Sequence, residues 1–400
     1  MELLSPAGNI EKLAYAYVYG ADAAYIGVGN FSLRQKADNF QGEQYRELAA
    51  IKGQKKLYCA LNILFHDIDI LRLEEQIEYL KNYPFDAFII SDPGIIPLVQ
   101  KNFPTASLHL STQASCINSE AVKFYRDAGF SRIILGRELS LKEIETIRRS
   151  VPDVELEVFV HGAMCLAYSG RCFLSAYMAG RSANKGECTH ACRWEYRYLE
   201  ERERPGEYFP VIEGDSFTTI LSSKDLCMID HLSDLKDAGV DALKIEGRMK
   251  SLYYTATVTR AYRKAIEALN GKEVKDLEGY RAELFKVSHR EFCTGFFYGT
   301  ESVEQPTNMS YERERLFLGT VGKESAPGAF EITVKNHIDA TKPIEFIGPE
   351  VLYLKDSAYA MYDSEGNRVQ KADHGKTYTI RPSVPIQPAY IMREACTEAS

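Results

Sequence analysis

Several features that would mark an exported, membrane-spanning or dinucleotide-binding protein are missing from this 400-residue chain. No stretch approaches the roughly 20 apolar residues of a membrane span. The start, MELLSPAGNIEKL, has no basic segment leading into an apolar run with a small-residue cleavage site, so no export signal is expected. The expected location is the cytoplasm, where thiols stay reduced. An excess of positive charge is also lacking: 48 Lys and Arg face 56 Asp and Glu, for a net charge of −8. That argues against an extended, non-specific grip on nucleic acid and leaves room for a local basic surface. Neither H-E-x-x-H nor G-x-S-x-G occurs, so two common hydrolase signatures are absent. The turn at Gly27 and Gly29 lacks the third glycine of a dinucleotide fingerprint, because Ser32 takes that place.

Cysteine is thinly spread except at one place. Cys59, Cys116, Cys227, Cys293 and Cys396 stand singly, whereas Cys165, Cys172, Cys188 and Cys192 crowd together with spacing C-x6-C-x15-C-x3-C. In a reducing compartment clustered thiols are ligands or catalysts more often than disulfides. Only Cys188 and Cys192 match the close pairs usual for structural zinc. A [4Fe–4S] cluster tolerates more varied spacing, so iron–sulfur stands ahead of zinc while both remain open. The pattern C-x3-C-x2-C of radical enzymes is absent, with Glu195 where the third cysteine belongs. His161 and His190 flank the run as alternative ligands, against the plainer reading of each as an ordinary hydrogen-bonded histidine. Cys59 and Cys116 read as small buried hydrophobes, and Cys227 and Cys293 mostly so, with an approach to the cluster as their competing role. Arg193, Arg197, Arg202 and Arg204 are interleaved with glutamates and read as a solvated mixed-charge segment.

Eight short apolar runs, each followed by an amphipathic stretch, occupy the first 250 residues: Leu3–Ser5, Ala23–Val28, Leu57–Asn62, Ala87–Ser91, Leu108–Gln113, Arg132–Gly136, Leu156–His161 and Ala242–Glu246. Eight βα repeats predict a (β/α)8 TIM-like barrel over residues 1–270. The spacing breaks once, between the seventh and eighth strands, where an insertion over 162–241 opens with the cysteine cluster. The cluster therefore follows the C-terminal end of a barrel strand, the face where such barrels build active sites. Residues 271–311 read as a helical extension. Alternating runs over 312–400 predict a small β-barrel or sandwich.

Period-two alternation assigns Glu157, Phe159 and His161 to the inside of the seventh strand, and Lys244, Glu246 and Arg248 to the inside at the eighth. Charges inside a barrel must be paired or used. A structural Glu157–Lys244 salt bridge competes with a polar pocket in which Arg248 and Arg137 hold an anion through bidentate contacts. Asn62, Asp92 and Gln113 end strands and are candidates to orient a ligand, each with a loop cap as its competing role.

The run from Glu157 to Tyr196 resembles the signature of the U32 family, historically called peptidase U32. The matching motifs are E-x-F-x-H-G-A-M-C, Y-S-G-R-C-x-x-S and G-x-C-x-x-x-C-R, with MELLSPAGN, SLRQKADNF, STQ, SKDL and KIEGRMKS elsewhere. The resemblance implies that Cys165, Cys172, Cys188 and Cys192 bind a [4Fe–4S] cluster. It also implies hydroxylation without molecular oxygen, of tRNA wobble uridine, ribosomal RNA cytidine or a quinone precursor, with prephenate as hydroxyl donor in the RNA-modifying branches. CTHACRWEY and the overall length are most similar to the tRNA 5-hydroxyuridine branch. On that reading Arg34, Arg137 or Arg248 binds the carboxylates of the small dicarboxylate, with Asn62 and Gln113 beside them. His161 is the proton shuttle, and Glu157, Lys244 and Glu246 complete the catalytic set. Expected partners are tRNA and an accessory protein that loads iron or sulfur. Two alternatives stay beside it: a peptidase, which the family's old name favours, and a scaffold whose cluster is structural.

Overall fold

The computed structural model describes residues 1–29, 31–33, 40, 42–165, 168, 172, 174–185, 187–189, 191, 212–214, 217–219, 224–299 and 314–395. Eight parallel strands form a ring: β1 (Glu2–Pro6), β2 (Ala23–Ile26), β3 (Lys56–Leu61), β4 (Ala87–Ile90), β5 (Ser107–Leu110), β6 (Phe130–Ile134), β7 (Glu155–Ala163) and β8 (Ala242–Ile245). Each pairs with the next, and β8 pairs with both β7 and β1, which closes the barrel. Their outer faces carry Leu3, Leu57, Leu156, Val160, Leu243 and Ile245, all buried beneath the helices. Each such side chain contributes about 1.5–3 kcal/mol by leaving water. The helices begin where the sequence supplies caps: Asn9, Asn118, Ser140 and Ser251 accept from the backbone N–H three residues on. No helix among the described residues is long and apolar enough to cross a membrane.

β7 has nine residues where the other barrel strands have four to six. Its overhang pairs antiparallel with Asp225–Cys227, which pairs in turn with Phe292–Cys293. The segment expected as a helical extension therefore does more than that. After helix Leu277–Ala282 it returns to the barrel and adds a strand to its sheet. A buried ion pair sets this return: Asp225 accepts from the backbone N–H of Arg290 at 3.2 Å and from its guanidinium at 2.5 Å. A two-residue strand has no periodicity to read, and only its partner defines it.

Beyond residue 314 an eight-stranded antiparallel sheet, including Phe317–Ala326, Ala329–Val334, Ile344–Ile347, Thr377–Arg381 and Ile391–Glu394, folds around its own core of Val321, Ile332, Phe346, Met361, Ile380 and Met392. This domain is docked on the long helix Leu252–Leu269 by charge. Glu283, fully buried, takes Arg393 Nη1 at 2.5 Å and Nη2 at 3.0 Å, and Arg260 Nη2 at 3.2 Å. Arg260 Nη1 also donates to the carbonyls of Gly348 and Val351, both at 2.7 Å. Burial alone would raise the Glu283 carboxyl, but Arg393, Arg260 and Lys286 hold it below the ordinary value.

Removing one member of such a group strands buried charge. Glu283→Gln should cost about 3–5 kcal/mol in urea unfolding at pH 7. Because the folded-state pKa is depressed, the carboxylate's contribution is complete above its unfolded value of about 4.3 and is lost as pH falls below that. The gap between wild type and variant should therefore narrow in acid. A gap independent of pH would contradict this docking.

Candidate functional site

Inside the barrel the expected charges are present and paired. Glu157 and Lys244 are buried with Oε1 and Nζ 3.0 Å apart, and Arg132 reaches the other Glu157 oxygen at 3.1 Å. Arg132 also holds Glu2 at 2.6 Å and Glu155 at 2.7 Å, so one guanidinium joins β6, β7 and β1. Tyr58 donates to Glu2 at 2.9 Å, and His109 packs edge-on against Tyr58. Lys244 also lies over the Tyr25 ring at 4.6 Å. Burial lowers the Lys244 pKa, while Glu157 acts to keep it charged. The alternation had already placed Glu157 and Lys244 inside. Arg132 shares that parity on β6 and was missed, although two of its partners, Glu155 and Glu157, lie on the next strand and only Glu2 is far off in the chain.

Above this layer the residues assigned to ligand binding are engaged with a loop. Arg248 Nη1 donates to Ser32 Oγ at 3.1 Å, Nη2 donates to the Leu33 carbonyl, and Asn62 Oδ1 accepts from the Leu33 N–H at 3.0 Å. Arg248 and Asn62 thus secure the loop after β2. Arg34 follows that loop and lies outside the described residues, as do His190 and Cys192. Gln113 sits in the single helical turn after β5, its N–H capped by Ser111. Glu246, half-buried just past β8, has Oε2 3.4 Å from the Tyr25 hydroxyl.

His161 does not point into the barrel. The β7–β8 register shifts between Lys244 and Ile245, so Phe159 opposes Lys244 but His161 opposes Ile245, and Val160 is the extra residue. This bulge reverses the alternation and turns His161 outward. Its ring packs among Tyr262, Tyr254 and Phe292, with Nδ1 3.4 Å from the Tyr262 hydroxyl. Burial pushes its pKa down to about 3 against the opposing pull of Asp225, so the imidazole is neutral at neutral pH. Gly162 follows at φ 103°, and a Cβ there would come within 2.6 Å of the Glu246 carbonyl. Only glycine suits that crossing.

The overhang of β7 delivers Cys165 to the barrel mouth, where it is exposed. Arg137, just beyond β6, lies with its guanidinium carbon 4.1 Å from the Phe159 ring centre and Nη1 4.0 Å from Cys165 Sγ. Cys172 and Cys188 are half-buried, and Cys188 Sγ lies 3.9 Å from Ser175 Oγ. Ser175 was not among the expected site residues. Cys59 and Cys116 are buried, as are most of Cys227 and Cys293, and burial raises these four thiols: Cys116 to about 12, Cys227 to about 11. Burial thus favours the protonated thiol at all four, and Cys59 and Cys116 sit in the core as expected. Among the described residues no three cysteine, histidine or carboxylate groups gather at metal-binding distance. The donor set nevertheless fits a thiolate-bound metal, because the sulfurs of Cys165 and Cys188 are free and face hydrogen-bond donors.

A cavity of about 630 Å³ opens between Phe31 after β2, Ile63 after β3, Arg72 and Asp69 on helix Asp67–Leu80, and Lys185 of the insertion. Lys185 bonds Asp69 at 2.9 Å and so ties the cysteine-bearing insertion to the barrel.

A family model described as peptidase family U32 matches residues 8–307, and one described as the peptidase family U32 C-terminal domain matches 313–393. The chain is 38% identical to the tRNA hydroxylation protein P of Escherichia coli (strain K12), across all of this chain and 98% of that protein. It is 38% identical to the 23S rRNA 5-hydroxycytidine C2501 synthase of the same organism, over 67% of this chain and 40% of the relative. A protein of Porphyromonas gingivalis named Collagenase is 33% identical over 97% of this chain and 96% of its own.

Exposure and burial divide the thiols sharply enough to test. In metal-stripped native protein, iodoacetamide should label Cys165 ahead of the other described cysteines and leave Cys59 and Cys116 unmodified until denaturant is added, as read by peptide mass spectrometry. Labelling of Cys59 ahead of Cys165 would contradict this arrangement.

Proposed function

The chain belongs to peptidase family U32, and from that premise we propose that it is an iron–sulfur enzyme that hydroxylates the wobble uridine of tRNA to 5-hydroxyuridine. The observation that carries this reading is the likeness to a tRNA hydroxylation protein along the whole chain, in a molecule that brings an exposed cysteine, Cys165, to the barrel mouth beside Arg137. Cys165, Cys172, Cys188 and Cys192 would hold a [4Fe–4S] cluster, which supplies electron transfer when bound. The hydroxyl group comes from a small dicarboxylate, prephenate, whose C–O bond breaks as the uridine C5–H becomes C5–OH; the donor's carbon skeleton takes up the two electrons and the proton that the uridine loses, and molecular oxygen takes no part. The reaction takes place in the cytoplasm, where tRNA is found.

Arg137 binds one carboxylate of the donor, since a guanidinium stacked on Phe159 is already oriented and carries more donors than Cys165 uses. Arg248 and Asn62 act one step back, holding the loop that leads to Arg34. Glu246, at the mouth beside Tyr25, takes the acid–base role, and the enclosed, neutral His161 does not. Glu157 and Lys244, paired in the core, keep the barrel closed beneath. The base must leave its stack to reach this mouth, which a single-stranded loop permits. The −8 net charge fits local contacts better than a long electrostatic grip.

A peptidase is the second reading, favoured by the relative named Collagenase. A cysteine nucleophile has little support. Cys227 lies opposite His161 in the antiparallel pairing, yet its thiol is raised to about 11 and His161 is neutral.

The chain should restore 5-hydroxyuridine to a strain that lacks tRNA hydroxylation, as measured by nucleoside mass spectrometry. Cys165→Ala should abolish the product, and Arg137→Ala should lower it by about tenfold or more, the loss of one charge-assisted contact. Wild-type levels in Cys165→Ala would sink the cluster's role. Collagen cleavage by purified protein, with no tRNA product, would replace the reading with the peptidase.

A further inference from the structure

Resting on the metal reading above, we propose that Ser175 is a positioning residue for the metal centre, donating a directed hydrogen bond to the sulfur of Cys188 and so raising the centre's reduction potential. Ser175 is almost fully buried, in the first turn of helix Leu174–Ala179, three residues after Cys172. Among the described residues its hydroxyl touches three groups: Cys188 Sγ at 3.9 Å, the Thr189 backbone nitrogen at 3.2 Å and Thr189 Oγ1 at 3.2 Å.

Counting donors and acceptors fixes the direction of these bonds. A serine hydroxyl has one hydrogen and two lone pairs. A backbone N–H can only donate, so Thr189 N takes one lone pair. The Thr189 hydroxyl donates into the second. Ser175 then has one hydrogen left and, among the described residues, one neighbour to receive it, the sulfur of Cys188. The sulfur is an acceptor in this arrangement, the role of a thiolate.

The same polarity recurs at a second sulfur. Arg137 Nη1 lies 4.0 Å from Cys165 Sγ, and a guanidinium has hydrogens to give and no lone pair to offer. Two cysteines from separate segments thus each face a fixed donor. Hydrogen bonds to ligand sulfur draw electron density from a metal–thiolate centre and favour its reduced state. Ser175 also spans the long gap in the cysteine pattern, because it sits on the segment of Cys172 and bonds to that of Cys188. It orients one ligand relative to another and tunes it in the same contact.

The test uses holoenzyme purified without oxygen, with iron and sulfide analysis and a potentiometric titration followed by absorbance. Wild type should carry about four irons. Ser175→Ala should keep its iron but titrate at a lower potential, with the reduced-to-oxidised ratio at the wild-type midpoint down about fivefold, the effect of one ordinary hydrogen bond. Ser175→Thr, which restores the hydroxyl, should recover the wild-type midpoint. Thr189→Val should shift it in the same direction as alanine but by less, since one donor to Ser175 remains. An iron-loaded Ser175→Ala with an unmoved midpoint overturns this inference and leaves the metal reading standing. If Ser175→Ala sheds its iron, the Thr189→Val midpoint decides, and no shift there overturns the inference too. A wild type without iron removes the metal reading and the inference with it.

Discussion

Glu157 is an acid buried at the centre of a barrel, and the fold depends on two cations reaching it. An isolated carboxylate there would cost several kcal/mol. Lys244 comes from β8 and Arg132 from β6, so the cations sit on the two strands that flank β7. Arg132 then passes the connection to Glu2 on β1. A single charge cluster therefore binds the first strand to the last three, at the point where the ring must close. Apolar side chains would fill the same space, but they would not specify which strands lie side by side.

The position of β7 in turn decides where the cysteines go. The strand outlasts its neighbours, bulges at Val160, turns at Gly162 and hands Cys165 to the mouth beside Arg137. The antiparallel strand Asp225–Cys227 and the Asp225–Arg290 pair brace this overhang from the other side. His161 belongs to that bracing, wedged between the overhang and helix Leu252–Leu269. The segment that presents Cys165 is thus held by strand pairing on one side and by a buried ion pair behind it.

Much of this was legible in the sequence, for an identifiable reason. The outer faces of the eight strands are nearly pure Leu, Ile, Val and Ala, so strand count and the inward direction of Glu157 and Lys244 followed from alternation alone. His161 was misplaced because a bulge inserts one residue without leaving a compositional mark. Arg248 and Asn62 carried the chemistry of ligand binders, yet the loop that occupies them became visible only in three dimensions. Ser175 ends the motif Y-S-G-R-C-x-x-S but received no role, because its sulfur neighbour lies across a fifteen-residue gap in the cysteine pattern.

A double-mutant cycle on Glu157 and Lys244, followed by urea unfolding at pH 7, tests the central claim most directly. Glu157→Gln and Lys244→Met should each lose about 3–5 kcal/mol by stranding the other's charge. The double variant should lose clearly less than the two losses added together, a coupling of at least about 1 kcal/mol. Strictly additive losses would mean that the two charges do not depend on each other, and the account of how this barrel closes beneath its site would fail.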